Sequence, residues 1–170
     1  GGGDILPALE KGTIDAAEWC CPKPDSVFGF QKVLKHYYLQ GLHQVVVNAD
    51  MYVNRDFYNS LSDLEKKALE VAANASLSKS MSYRIFENGK ALKDLTDNQG
   101  VILEDTPADY FTEYMAAAKK SLEAAAKENK FFAEVWQSQK DFADTVVPFW
   151  AGAQTSNASL GRAHAATLKK

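Results

Sequence analysis

Catalytic signatures are what this 170-residue sequence most plainly lacks. It has no GxSxG elbow, no phosphate-binding P-loop and no GxGxxG turn, so no motif supports an enzyme. Its three histidines, His36, His43 and His164, are not paired at metal-ligand spacing, which argues against a histidine zinc site. No apolar run approaches the roughly 20 residues of a membrane helix, so no membrane span is expected. A net charge of −3 offers no nucleic-acid surface. Cysteine is scarce, and Cys20 and Cys21 stand side by side rather than in a CxxC pattern. Neighbouring Cα atoms lie about 3.8 Å apart, below the usual disulfide range, so a bridge between them would be strained. The plain expectation is two small apolar residues continuing a strand. An initiator Met, a basic n-region and an apolar h-region are also missing. Gly1-Gly2-Gly3 running at once into a helix reads as a chain cut inside a domain. Oligomeric state leaves no mark in the sequence.

What is present describes a globular chain: 46% hydrophobic and 24% charged residues, long enough for one domain with a core. The stretch that organises it is GDILPALEKGTIDAAEWCCP, from Gly3 to Pro22. Asp4 is placed to cap a short helix with Ile5, Leu6, Ala8 and Leu9 on its apolar side, and Gly12 to end it. Thr13 to Ala17 reads as a short buried strand that delivers Glu18 and Trp19 at its end. A carboxylate beside a large aromatic at a strand end is a ligand-binding arrangement, because open α/β sheets bind beyond the carboxyl ends of their strands. On spacing alone it is also the pattern of a surface Glu beside a core Trp, since most aromatics are packing residues.

Pro22-Lys23-Pro24 should break regular structure. Asp25 should then cap a helix carrying Val27, Phe28, Phe30, Val33 and Leu34. Leu42 to Asn54 reads as the clearest strand, with Val45, Val47, Ala49, Met51 and Val53 on one face. Gln44 and Asn48 share the other face and either line a cleft or meet bulk water. Asn54 can cap a helix over Arg55–Ser60, and Ser62 with Glu65 forms a capping box. From there one helical pattern runs to Asn98, where Gly89 can mark a bend, and Gly100 is a plausible stop. Unbroken, about 35 residues make a rod of roughly 50 Å, longer than a small lobe. Val101-Ile102-Leu103 reads as a short buried strand. Thr106, Pro107 and Asp109 open the next helix, and Asn129 interrupts it. Phe132, Val135, Trp136, Phe142 and Val146 line a last helix as packing residues, and Pro148 should bend or end it. From Gly152 the small polar tail is expected to be loosely held. Asn74-Ala75-Ser76 and Asn157-Ala158-Ser159 match the glycosylation pattern and read as chance.

Three segments resemble the solute-receptor subunits of TRAP transporters, the tripartite ATP-independent periplasmic transporters of the dicarboxylate-receptor superfamily. They are PALEKGTIDAAEW, FGFQKVLKHYYLQGLHQ and VNRDFYNSLSDLEKKALEVAA, in the family's order from residue 3 to about residue 75. The 2-oxo acid-binding type is the nearest. The resemblance implies an α/β fold: the C-terminal half of a two-lobed, venus-flytrap binding protein, helix-dominated, with a few short strands and a long lobe-spanning helix. The segmentation is then residues 1–41, ligand-site strand and following helix; 42–60, connecting strand and short helix; 61–100, long helix; 101–151, strand and C-terminal helices; and 152–170, tail. The N-terminal half would be absent.

By the same resemblance the protein is a periplasmic receptor for a small organic anion, a 2-oxo or 2-hydroxy acid or a dicarboxylate. It would close around its solute and pass it to the transporter's membrane subunits. Glu18 would give a carboxylate to a bound sodium or calcium ion that bridges the substrate. Trp19 would give that ion its backbone carbonyl and lay its indole over the acid. Gln44 falls where the 2-oxo acid receptors carry a second glutamate; as a neutral amide it alters the cation's charge balance. Asn48 shares the face of Gln44. The arginine that clamps the substrate carboxylate in this family would belong to the absent half, since Arg55, Arg84 and Arg162 match no such motif. The alternatives are a non-transport helical interaction module, and an enzyme with an unrecognised site.

Overall fold

The computed structural model describes residues 1–39 and 50–168. Eight regular elements follow in chain order: α1 (Ile5–Glu10), α2 (Pro22–Phe28), β1 (His36–Tyr38), α3 (Arg55–Ser60), α4 (Asp63–Asp97), β2 (Ile102–Glu104), α5 (Ala108–Glu128) and α6 (Lys130–Leu168). Single 3-10 turns precede α1 and follow α2. The chain divides into two compact units, Gly1–Pro107 and the residues from Ala108 onward.

In the first unit, local chemistry sets the boundaries. Gly12 takes φ +66, and the Gly12 and Thr13 amides donate to the Leu9 and Ala8 carbonyls, closing α1 in a Schellman motif. Asp4 precedes α1 but its side chain accepts no capping hydrogen bond; its carboxylate instead pairs with the Gly1 amine at 2.9 Å. The proline run does not break structure. Pro22 is the first residue of α2, where a missing N–H costs nothing. Asp25 therefore sits one turn inside the helix rather than before it, and its Oδ1 accepts the Cys21 amide at 3.2 Å. Gly29, at φ +90, ends α2.

The strand expected over Thr13 to Ala17 is not formed. Those residues are irregular and mostly exposed, because no described segment supplies a ladder. Cys20 and Cys21 accordingly continue no strand, and Cys20 is exposed. The unit's one described sheet is elsewhere: β1 pairs in parallel with β2 in the register His36↔Ile102, Tyr37↔Leu103 and Tyr38↔Glu104. A parallel pair needs a long crossover, and α3 and α4 lie in it. The strand expected over Leu42 to Asn54 falls mainly outside the described residues, and residues 50–54 are irregular.

Asn54 caps α3 through Oδ1 from the Asp56 and Phe57 amides. The Ser62–Glu65 box opens α4: Glu65 Oε2 accepts the Ser62 amide at 2.8 Å and Ser62 Oγ accepts the Glu65 amide at 3.3 Å. α4 then runs 35 residues unbroken through Gly89, and Gly100 at φ +68 turns the chain after it. α2 packs on α4, and the Lys23 amide donates to Asn88 Oδ1 at 2.9 Å. The core is small: among the described residues only Leu9, Ala91, Leu95 and Val101 are buried hydrophobics. Leu64, Val71, Leu77, Met81 and Ile85 on the same helix face solvent. Val101 is buried as expected, but Ile102 and Leu103 are exposed.

In the second unit α5 packs on α6. Asn129 separates them, and its Oδ1 accepts the Phe132 amide at 3.0 Å, so the interruption is also a helix cap. Pro148 does not end α6, which continues through it to Leu168 and makes residues 152–168 helical. Along the last helix Trp136 and Val146 are half-buried, whereas Phe142, Phe149 and Trp150 are exposed.

Leu95→Ala should lower stability by about 2–4 kcal/mol, because it empties the most buried apolar position. Leu64→Ala, at a position 80% exposed, should change it by no more than about 0.5 kcal/mol. Urea unfolding followed by circular dichroism tests both; equal shifts would contradict the core assigned to this unit.

Candidate functional site

The site is assembled from the irregular segment after α1, the start of α2 and strand β1. Together with Leu95 and Val101 they enclose an open cavity of about 700 Å³ within the first unit. Glu18 and Trp19 both line it. Glu18 is exposed and Trp19 half-buried, so neither is sealed in an interior. The indole has a defined seat: its ring centroid is 4.7 Å from that of Phe28 and 6.3 Å from that of Phe30, both at tilted angles. Those offsets are the favourable ones for aromatic quadrupoles. A Cβ built on Gly2 would come within 2.8 Å of the indole edge, so a side chain there would force the indole or the turn to shift. Trp19 thus faces the cavity from an aromatic cluster of its own unit.

Below the pair lies a polar group that sequence reasoning did not select as a site. Asp25 is 8% exposed, and its Oδ2 accepts the Tyr37 hydroxyl at 2.5 Å while Oδ1 holds the Cys21 amide. Burial raises the Asp25 carboxyl above its ordinary value; the Tyr37 hydroxyl and the Cys21 amide oppose that rise, and the charge of Glu18 adds to it. Burial, then the hydrogen bond and charge of Asp25, hold the Tyr37 phenol well above its usual range. Gln31 also lines the cavity, and its buried Oε1 has no hydrogen-bond partner among the described residues. At the strand edge, His36 Nδ1 meets Glu104 Oε1 at 2.7 Å across β1 and β2. No periodic pattern marks Asp25, Gln31 or Tyr37. The one available signal was an acid three residues into a proline-led helix, where it can reach back to the preceding amide.

Of the four residues selected from sequence, the structure brings Glu18 and Trp19 to one cavity. Gln44 and Asn48 lie outside the described residues. For a cation, Glu18 offers a carboxylate and Trp19 a main-chain carbonyl, hard oxygen donors of the kind sodium and calcium take. Among the described residues no group of three or more His, Cys, Asp or Glu side chains could hold a metal ion. These donors suit such an ion in kind and are too few to enclose it. Also among the described residues, no helix is long and apolar enough to cross a membrane.

Known proteins resemble this chain over most of its length. The family described as bacterial extracellular solute-binding protein, family 7, matches residues 2–129. A monocarboxylate 2-oxoacid-binding periplasmic protein from Nostoc sp. is 31% identical over 146 residues, which cover 83% of this chain and 38% of that protein. A TRAP periplasmic solute-binding protein from Colwellia psychrerythraea, solved with bound calcium and pyruvate, superposes with a TM-score of 0.80 at 30% identity. The match covers 94% of this chain and 48% of that one. A second, from Pseudoalteromonas atlantica with bound sodium and pyruvate, gives a TM-score of 0.74 at 26% identity over 92% and 47% of the two chains. The chain therefore spans less than half the length of each of these proteins.

Asp25 sets a pH dependence with a definite sign. Its folded value lies above the ordinary aspartate value of about 3.9. Between the two values the folded protein keeps a proton that the unfolded chain has released. Its contribution is complete below the ordinary value and is lost as pH rises through the folded one. The difference in unfolding free energy between wild type and Asp25→Asn should shrink with rising pH across that window and then level off. A difference that grows with pH would contradict the assignment. Tyr37→Phe should cost about 1–3 kcal/mol, because it leaves a buried carboxylate oxygen without its donor.

Proposed function

The chain belongs to family 7 of the bacterial extracellular solute-binding proteins, and from that membership we propose that it is the C-terminal half of an extracytoplasmic, periplasmic TRAP receptor. It catches a small organic anion, a 2-oxo or 2-hydroxy acid or a dicarboxylate, and delivers it to the transporter's membrane subunits. The observation that carries this reading is the placement of Glu18 and Trp19 together on the wall of an open cavity of about 700 Å³. The matched family and structures are solute-binding receptors rather than enzymes.

In this reading Glu18 and the Trp19 carbonyl give oxygen ligands to a sodium or calcium ion. Calcium takes six to eight oxygens, more than these two residues supply. The remaining ligands come from the acid's own oxygens, from water, and from Gln44 through its amide oxygen. The cation and the anion therefore complete each other's site, each being weakly held without the other. With the cation bound, its charge draws the acid's carboxylate. Glu18 holds the cation, and the Trp19 indole, braced by Phe28 and Phe30, covers the apolar part of the acid. Asn48, which the alternating sequence pattern groups with Gln44, adds an amide donor for the carboxylate.

Closure supplies the rest. A receptor of two lobes is shut by a ligand that both lobes touch, so the free energy of closing comes from contacts that half the site cannot make. The 35-residue α4 is long enough to run along more than one lobe. Its exposed Leu64, Val71, Leu77, Met81 and Ile85 are then the residues that the remainder of a receptor covers.

In a receptor carrying both halves, Glu18→Gln should weaken cation and substrate binding together, each by at least about tenfold, with no turnover in either protein. Isothermal titration of pyruvate with and without calcium reads this; loss of one affinity without the other would overturn the shared site. The 170-residue chain alone should bind pyruvate more weakly than micromolar. Micromolar affinity in that fragment would show that the second lobe contributes little.

A further inference from the structure

The two cysteines lie on the cavity wall directly after Trp19, and neither continues a strand. Their Sγ atoms are 2.9 Å apart and both thiols are free. A disulfide spans about 2 Å, so closing the pair requires an approach of about 1 Å. We propose that Cys20 and Cys21 are a redox modification site that closes to a vicinal disulfide in the wall of the cavity.

The surroundings make this pair accessible and isolated. Cys20 is exposed and Cys21 half-buried. These 170 residues contain no third cysteine. Residues 16–19 form no strand ladder that would tie the chain ahead of the pair. On the far side, the Cys21 amide is held by Asp25 Oδ1 at 3.2 Å. On the near side, the Trp19 ring is seated against Phe28, Phe30 and Gly2. That Cys21 amide is the N–H of the peptide joining the two cysteines, so the link is held at Asp25 on one side and by the packing of the Trp19 ring on the other.

The oxidant is a low-molecular-weight disulfide. The Cys20 thiolate attacks one of its sulfurs and expels one thiolate, leaving a mixed disulfide on Cys20. The Cys21 sulfur then attacks Cys20 Sγ and expels the second thiolate. The two protons lost by the cysteines end on the two released thiols; the cysteine pair is oxidised by two electrons and the small disulfide is reduced. Cys20, the exposed member of the pair, is the entry point, and half-buried Cys21 closes the ring. Adjacent Cα atoms, about 3.8 Å apart, lie closer than a relaxed disulfide prefers, so the closed ring is strained and easily reduced. A strained bridge of this kind is a reversible one. The ring does not depend on the receptor reading; only its consequence for solute binding would.

The test uses the 170-residue chain, reduced, desalted and incubated with excess oxidised glutathione. It is then unfolded, alkylated with iodoacetamide and weighed by intact mass spectrometry. The expected product is a monomer lighter by two hydrogens with no alkylated thiol, reopened by excess reduced glutathione. Cys21→Ser should stop with one glutathione on Cys20, and Cys20→Ser should react at least about tenfold more slowly. Wild-type protein that keeps two alkylatable thiols, carries two glutathiones or links into dimers would overturn the proposal. So would a ring that excess reduced glutathione leaves closed. Because no solute is involved, this outcome is separate from the success or failure of the binding experiments.

Discussion

A charge taken out of water needs partners, and in the first unit that requirement falls on Asp25. Its carboxylate holds the amide that opens α2 and the hydroxyl of Tyr37 on β1. Those two bonds join a helix start to a strand 12 residues on. The segment between α1 and α2, which carries Glu18 and Trp19, has no ladder among the described residues. Its position is set by its ends: the Schellman closure at Gly12 on one side and the Asp25-bound amide on the other. The geometry of the cavity wall thus depends on one side chain that touches neither end of the Glu18–Trp19 pair through a ladder bond. Buried ionic groups add little net stability and are costly to leave half-paired, so positioning is the more natural account of this one.

The parts of the fold legible in the sequence were those decided within one turn of chain. Ser62 with Glu65, Asn54, Gly12, Gly100 and Asn129 mark their boundaries because a cap or a left-handed turn is settled by two or three neighbouring residues. The length of α4 followed from the same signals at its two ends. What was not legible depended on distant partners. His36-Tyr37-Tyr38 has too few residues to show alternation and is a strand only because Ile102–Glu104 lies beside it. Thr13 to Ala17 has a strand-like composition and no described neighbour. The proline pair misled because proline's meaning changes with position: it breaks a helix from inside and starts one at its first residue. Pro148 shows the other exception, a helix that continues past its proline.

The candidate site divides along the same line. Glu18 and Trp19 were selected by their succession in the chain and by resemblance, and both reach the cavity. Asp25, Tyr37 and Gln31 were invisible as site residues, because what unites them is the packing of α2 on α4 and of β1 on β2 rather than any spacing. The cysteines were read as packing residues from their type. That reading relied on a strand that is not there; without it, two sulfurs stand on an open wall.

Gly2 does not line the cavity, yet the indole edge occupies the space where its side chain would begin. The aromatic face that lines the cavity is therefore calibrated by an atom that is missing. In a randomised library, this position should be sensitive to substitution like a contact residue, although it offers nothing for a solute to touch. A substitution map scored on binding alone would mistake a spacer for a ligand.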